Sequence, residues 1–241
     1  GSVRGDPSGR GPELIAKLLG GEGVKDRADI LLIGDTHLLE MGQSQADAAF
    51  SLTPCDARTS DWVDLPSFAH HVQNTIEPDD VINATVTIES GKSALANLNT
   101  ALELARDGII DAITFAPFNK AALIEAGLGH EDELHYIAEF LGVENYVSEI
   151  NTLDGVWTSR VSSHISLKEV PDYITKERIN EAVYLIDRTL KRSGLARPRL
   201  SVAALNPHAG DNGNFGTEEM DVIAPAVQAL QAQQAHLAGP R

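Results

Sequence analysis

Ala28-Asp29-Ile30-Leu31-Leu32-Ile33-Gly34-Asp35 is the stretch on which the fold turns. A short apolar run without alternation, closed by Gly-Asp, is the pattern of a parallel strand buried on both faces, with a functional loop at its carboxyl end. Upstream, the turn formers Asp6-Pro7-Ser8-Gly9-Arg10-Gly11-Pro12 precede the apolar-periodic run Glu13 to Leu19. A proline at a plausible first helical position makes this a loop followed by a helix. Downstream, a second helix is expected from His37 to Ala49. Between Leu52 and Pro78, with Pro54 and Pro66, no period is sustained and nothing is assigned.

Val81 to Glu89 alternates β-branched and polar residues, a strand signal. Ser90-Gly91-Lys92-Ser93 leads into a helix from Ala94 to Asp107, stopped by Gly108, and Ile109 to Phe115 is a second buried strand. Further helices are expected at Lys120 to Ala126, Glu131 to Leu141 and Lys176 to Ser193, with a milder Gln/Ala-rich one at Gln228 to Gln234. Strands are expected at Ser159 to Ile165 and Arg199 to Leu205. Such alternation gives a largely parallel α/β sheet, which binds small ligands beyond the carboxyl ends of its strands.

The 241 residues carry 19 Lys+Arg against 35 Asp+Glu, a net charge of −16, which argues against nucleic acid or an anionic membrane as the main partner. Hydrophobic residues at 42% and charged residues at 22% describe a core-forming chain rather than a disordered one. The length suits one large domain or two small ones. The single cysteine, Cys55, cannot form an intrachain bridge, which fits a reducing compartment, and a cytoplasmic location is expected. No run approaches the ~18 apolar residues of a membrane span. Gly1-Ser2-Val3-Arg4-Gly5-Asp6 has neither region of a signal peptide.

Chemistry-bearing residues gather at the expected strand ends. Gly5 to Glu13 is either a phosphate-cradling glycine-rich loop or a tight loop capping a helix; it is neither a Walker loop nor a Rossmann fingerprint. Ser90-Gly91-Lys92-Ser93 lacks the upstream glycine of a P-loop, which disfavours a nucleoside triphosphate but leaves room for an anion. Lys120, just past a strand, can meet an anionic substrate or serve as an acid or base, or be a solvated helix-start lysine. Gly129-His130-Glu131-Asp132-Glu133-Leu134-His135 packs two histidines and three carboxylates together. On a helix Glu133 and His135 diverge by about 200°, so both reach one metal only if the turn is irregular. His164 closes a β-run. Asn206-Pro207-His208-Ala209-Gly210-Asp211, followed by Gly213 and Gly216, is a polar, glycine-rich turn longer than chain reversal requires.

Taken in order, Gly5-Asp6-Pro7-Ser8-Gly9-x-Gly11-Pro12-Glu13, Pro117-x-Asn119-Lys120, Ser163-His164-x-x-Leu167, Leu205 to Gly210 and Phe215-Gly216-Thr217-Glu218-Glu219 resemble the 4-hydroxythreonine-4-phosphate dehydrogenase (PdxA) family over nearly the whole chain. The resemblance implies an isocitrate/isopropylmalate-dehydrogenase-like α/β/α sandwich, one catalytic unit of two interleaved α/β subdomains around an active-site cleft, and a homodimer. It also implies NAD or NADP, and a divalent metal (zinc, magnesium, manganese or cobalt) held by three histidines. Family members oxidise a secondary alcohol of a phosphorylated hydroxy acid, with decarboxylation of the β-keto acid that results. In general a Lewis acid polarises the hydroxyl and the nicotinamide takes the hydride.

Carried over by position, the second metal histidine is His164, while Glu133 stands where the first is expected, with His135 or His130 as substitutes after a shift. This departure points to a divergent branch. Lys120 and His208 are the catalytic candidates; Asp6, Arg10, Ser93, Asn119, Asn206, Gly210 and Asp211 are the substrate- or cofactor-binding ones, with Lys92 as a further phosphate donor. The third metal histidine belongs to a C-terminal segment that the resemblance places after His236-Leu237-Ala238-Gly239-Pro240-Arg241. The expected substrate is a small anionic hydroxy acid such as 4-phosphohydroxythreonine or threonate 4-phosphate. Two alternatives are a carboxylated cis-dihydrodiol of the terephthalate type and a noncatalytic small-acid-binding relative. Acyl or phosphoryl transfer is disfavoured by the Asn206 to Gly210 block.

Overall fold

The computed structural model describes residues 1–60, 68–130, 132–232 and 237–240; Pro66, Glu131 and His236 lie outside this set. The chain divides into two compact units, Gly1–Val143 and Glu144–Arg241.

The first unit is built on a five-stranded, wholly parallel sheet of β1 (Ser2–Val3), β2 (Ile30–Gly34), β3 (Thr53–Cys55), β4 (Phe68–Val72) and β5 (Thr114–Phe115), in the order β3-β4-β2-β1-β5. Helices α1 (Gly11–Gly20), α2 (Thr36–Ala46), α3 (Ile88–Arg106), α4 (Lys120–Glu125) and α5 (Glu133–Phe140) complete it. The unalternating β2 run is explained by burial on both faces. Leu31 and Ile33 join Val3, Ala69, Ala101 and Leu104 in one cluster, while Leu32 joins Ile15, Leu19, Leu39 and Phe68 in another. One cluster contains α3 and the other α1 and α2, so the layers are α/β/α, as the resemblance implied. Pro12 opens α1 as expected, and the Thr87 hydroxyl caps α3 by accepting the Ser90 N–H at 3.1 Å. Gly91 lets α3 pack on α4, since a Cβ there would overlap the Ala122 carbonyl. The outer strands are short. β3 has three residues with Pro54 in the middle, and β5 has two.

Two expectations for this unit are corrected. Val81 to Glu89 is not a strand: a 3₁₀ turn at Pro78–Asp80 and an irregular stretch run directly into α3. Ala84 has φ +56 and donates its N–H to the Ser8 carbonyl at 2.8 Å, which no ladder accommodates. Of Ile109 to Phe115 only the last two residues pair; Ile110 is buried and Ile109 and Ile113 partly so, giving the run a strand-like composition. β3 and β4 lie in the stretch that showed no period.

The second unit holds a hairpin of β6 (Asn151–Leu153) and β7 (Val156–Thr158), α6 (Val170–Tyr173), α7 (Lys176–Arg192), the parallel pair β8 (Leu200–Ser201) and β9 (Leu237–Ala238), and α8 (Ala224–Gln231) entered through a π turn at Glu219–Ile223. Asp154 and Gly155, with φ +43 and +82, form the hairpin turn. Ser159 to Ile165, expected as a strand, is irregular; the strands precede it. Ile179, Val183, Ile223, Val227 and Leu230 form the core. Beside it a cavity of about 910 Å³ is lined mainly by apolar residues of β7, α7 and β8. No helix among the described residues is long and apolar enough to cross a membrane.

Candidate active site

In the first unit the chain runs from β1 to β2 on one side and reaches β5 on the other, so connections diverge beyond the carboxyl ends of β1 and β5, where open α/β sheets bind ligands. Gly5 follows β1 with φ +72, and a Cβ there would overlap the Ala116 carbonyl and meet the Pro117 carbonyl oxygen at 2.5 Å. The Asp6 N–H donates to Pro117 O at 3.1 Å. Asp6 is buried; its Oδ1 accepts the Ser8 N–H at 3.0 Å and its carboxylate is bonded by Asn119. Burial outweighs these bonds and raises the carboxyl. With Gly9 N–H donating to Asp6 O at 3.2 Å, two amides of the glycine-rich loop serve the loop itself.

Arg10 precedes α1 with its side chain 85% exposed, 4.0 Å from Glu13. Asn119 caps α4 by accepting the Ala122 N–H at 3.2 Å, and Lys120, exposed, is the first residue of that helix. Asp6, Asn119 and Lys120 thus lie together in the loops beyond the carboxyl ends of β1 and β5, and Arg10 follows in the β1 loop just before α1. Exposed basic groups beside a helix start fit an anionic group. Ser93 and Lys92 fall inside the first turns of α3; Lys92 is exposed, but Ser93 is buried, its hydroxyl 2.7 Å from that of Thr75.

That Ser93 contact belongs to a buried polar network which no sequence motif marks. Arg4, 3% exposed, donates to the Asp35 carbonyl at 2.5 Å and lies 3.1 Å from His70 Nε2. Burial lowers the guanidinium to about 10, against the attraction of Asp35. The Asp35 carboxylate accepts the Thr75 N–H at 2.7 Å, the Thr75 hydroxyl at 2.5 Å and the Ile76 N–H at 3.3 Å. Asn97 donates to Thr75 Oγ1 at 3.3 Å and to Ser93 O at 2.9 Å. His70 Nε2, also 2.8 Å from Gly34 O, can donate to that carbonyl or accept from Arg4, not both.

Burial and the Arg4 charge lower His70 from 6.5 to about 4. Below 6.5 the unfolded chain takes up a proton that the folded chain refuses. The stability conferred by neutral His70 is therefore complete above 6.5 and lost as pH falls toward 4, with a slope of at most about 1.4 kcal/mol per pH unit. Denaturant melts across that window should show the slope, and His70→Gln should flatten it; an unchanged slope in the variant would refute the assignment.

At α5, Glu133 is half-buried in the first turn, and exposed His135 places Nδ1 2.6 Å from Oδ1 of Asp132, whose carboxylate also caps the helix. The charge of Lys120 reaches Asp132, and both these partners and the helix amide hold its carboxyl down against burial. His130 instead pairs with Glu139, Nε2 to Oε2 2.6 Å, edge-on to Tyr136. Both histidines of the segment thus have carboxylate partners of their own. Among the described residues no three His, Cys, Asp or Glu side chains gather as a metal site.

In the second unit His164 is exposed at φ +56, its Nδ1 3.1 Å from Ser163 Oγ. Arg160 donates to the same hydroxyl at 3.1 Å and to Glu149 at 2.7 Å. The Asn206 to Gly216 turn is left-handed. His208, Ala209, Gly210, Asp211, Asn212 and Gly213 all have positive φ, from +43 to +90. A left-handed turn costs about 1–2 kcal/mol per non-glycine residue, a strain found mostly at functional sites. Gly210 is buried, whereas His208 and Asp211 are exposed, Asp211 accepting from Asn214 at 3.1 Å.

Asn206 donates its backbone N–H to Glu219 Oε1 at 2.6 Å, and its amide to Glu219 Oε2 at 3.0 Å and Glu218 Oε2 at 2.6 Å. Leu205 N–H reaches Glu219 Oε1 at 2.8 Å. Burial alone would raise the Glu219 carboxyl; these donors hold it below the usual range. Arg4, Asp35, His70 and Glu219 were not among the candidates the sequence singled out, although Asp35 closes the β2 stretch and Glu219 closes the Phe215 to Glu219 motif.

The family model described as "Pyridoxal phosphate biosynthetic protein PdxA" matches residues 26–241. The chain is 46% identical over 239 residues to the Pseudomonas aeruginosa protein named "Putative 4-hydroxythreonine-4-phosphate dehydrogenase 2", covering 99% of this chain and 71% of that one. It is 32% identical over 242 residues to the D-threonate 4-phosphate dehydrogenase of Bordetella bronchiseptica, covering 98% and 67%. The crystal structure of a 4-hydroxythreonine-4-phosphate dehydrogenase from Klebsiella pneumoniae superposes with a TM-score of 0.83 at 29% identity, covering 98% of this chain and 71% of that one. A terephthalate 1,2-cis-dihydrodiol dehydrogenase from Burkholderia xenovorans, at 22% identity and a TM-score of 0.63, covering 100% and 72%, shares the fold.

Proposed function

This chain belongs to the PdxA family, and from that premise we propose that it oxidises the secondary alcohol of a small phosphorylated hydroxy acid, with NAD or NADP as hydride acceptor. The observation that carries this reading is the 46% identity sustained over 99% of the chain to a relative named for such an activity. The substrate class is that of 4-phosphohydroxythreonine or threonate 4-phosphate, the two substrates for which the relatives are named. Loss of carbon dioxide from the β-keto acid and assembly as a homodimer belong to the same proposal.

The nicotinamide, when bound, accepts the hydride. The chain's own residues supply binding and proton handling. Lys120, fixed at the start of α4 by the Asn119 cap, meets the substrate's negative charge or takes the hydroxyl proton. Asp6 and Asn119 offer hydrogen-bonding groups to the acid beside Lys120, and exposed Arg10 attracts its negative charge. In the second unit, Asn206, Gly210 and Asp211 are the hydrogen-bonding candidates for the substrate, and His208 is the candidate imidazole for proton transfer. Glu133, His135 and His164 are the residues that would hold the family's divalent metal, which when bound would polarise the substrate hydroxyl.

The reading is tested by following reduction of NAD and NADP with 4-phosphohydroxythreonine, threonate 4-phosphate and a carboxylated cis-dihydrodiol, and repeating the assay with Lys120→Ala. Turnover of a phosphorylated acid, falling about 100-fold or more in the variant, is the expected result. Turnover of the dihydrodiol alone, or binding of the acids without reduction, overturns it.

A further inference from the structure

The motif residues leave Glu219 without a part in the reaction, yet the second unit builds its turn on that side chain. We propose that Glu219 is a positioning residue: its carboxylate fixes the left-handed turn that presents Asn206 and His208. The inference rests on the reading above, in which Asn206 and His208 serve the substrate.

Right-handed backbone is the default for L-residues. His208 and Ala209 before Gly210, and Asp211 and Asn212 between Gly210 and Gly213, nevertheless take φ +51, +52, +43 and +54, so tertiary bonds must hold the segment in its hand. Within it, Phe215 N–H donates to Gly210 O at 3.1 Å and Asn214 N–H to Asp211 O at 3.2 Å. At its entry everything converges on Glu219. Oε1 takes the Leu205 and Asn206 backbone N–H groups, and Oε2 takes the Asn206 amide. A Cβ on Gly210 would lie 3.1 Å from that same Oε2, so the carboxylate also abuts the middle of the turn.

Glu218 reaches only the Asn206 amide and cannot replace the two backbone contacts. Both oxygens and the charge of Glu219 are used. In Glu219→Gln, an oxygen kept toward the backbone amides turns the new NH₂ onto the NH₂ of Asn206. Flipping Asn206 to avoid this sets its oxygen against Glu218.

The test is hydrogen exchange and steady-state kinetics on the full chain and on Glu219→Gln. The Leu205 and Asn206 amides are expected to exchange about tenfold faster or more in the variant. The kcat with the phosphorylated acid should fall about tenfold or more while KM for NAD holds, because a displaced turn misaligns groups without removing them. The melting temperature should move by no more than about 4 °C, since the turn is largely exposed. Unchanged exchange overturns the proposal, as does faster exchange with unchanged kcat.

A second measurement needs no variant. On acidification of the wild-type chain, the amide proton shifts of Leu205 and Asn206 should move together with one ionisation below 4.5, the ordinary glutamate value. Amides that ignore that titration overturn the proposal even if Glu219→Gln does not fold. If no acid is oxidised by the wild type, the functional reading fails, whereas exchange and titration still decide what Glu219 holds.

Discussion

Asp35→Ala is expected to destabilise the first unit by about 3–5 kcal/mol, because it strips buried donors of their acceptor, at about 1–3 kcal/mol each, and removes the carboxylate whose charge favours the buried Arg4 guanidinium. Three donors lose their acceptor in the same step: Thr75 N–H, the Thr75 hydroxyl and Ile76 N–H. Arg4 keeps only the Asp35 carbonyl and its place beside His70. For a chain of this size the loss corresponds to a fall of about 10 °C in melting temperature.

Arg4→Met should cost less, since Asp35 would remain bonded to all three donors and methionine adapts to the vacated volume. The double variant should be milder than the sum, since removing both charges avoids the unpaired one. Thermal and urea melts of the four proteins give the coupling directly. A single-variant loss below about 1 kcal/mol for Asp35→Ala would show that Arg4 finds another countercharge.

Gly5→Val is expected to lower kcat/KM for the phosphorylated acid by about 100-fold, a typical cost of displacing binding groups by an ångström. Valine is strained at φ +72, and its Cβ would collide with the Ala116 and Pro117 carbonyls. The loop must move off Pro117, which breaks the Asp6 N–H bond and draws Asp6 away from Asn119. Gly5→Ala should be intermediate, keeping the clash but not the branching. A kcat/KM for the valine variant close to the wild-type value would remove this loop from the site.

What the sequence disclosed and what it hid follow from the range of the interactions concerned. α1 and α7 are visible because each carries a local apolar period with its own start signal, Pro12 in one and Thr175 in the other. β2 is visible because burial on both faces leaves nothing to alternate. β4, Phe68-Ala69-His70-His71-Val72, is not, because two of its five residues are histidines, one of them buried through contacts with Arg4 and Gly34.

The misread strand at 81–89 owes its β-branched pattern to other tasks. Thr87 caps α3, while Val81 is half-buried and Ile82 exposed on a turn closed through Ser8. The candidate site divides the same way. Asp6, Asn119, Asn206 and His208 sit in motifs that announce themselves. Arg4, Asp35 and His70 act across separations of 31 and 66 residues, where no local pattern links them.

The short outer strands of the sheet bear on how this protein can associate. An exposed strand edge is a template for another chain, and natural sheets blunt it with brevity or proline. β3 does both: Pro54 lacks the N–H that an added strand would bond, and β5 offers only two residues on the opposite side. Among the described residues neither outer strand of this sheet offers a long run of backbone groups to an added strand. A second copy laid against either outer strand would therefore gain few backbone hydrogen bonds, and an interface between copies would have to draw on side chains instead.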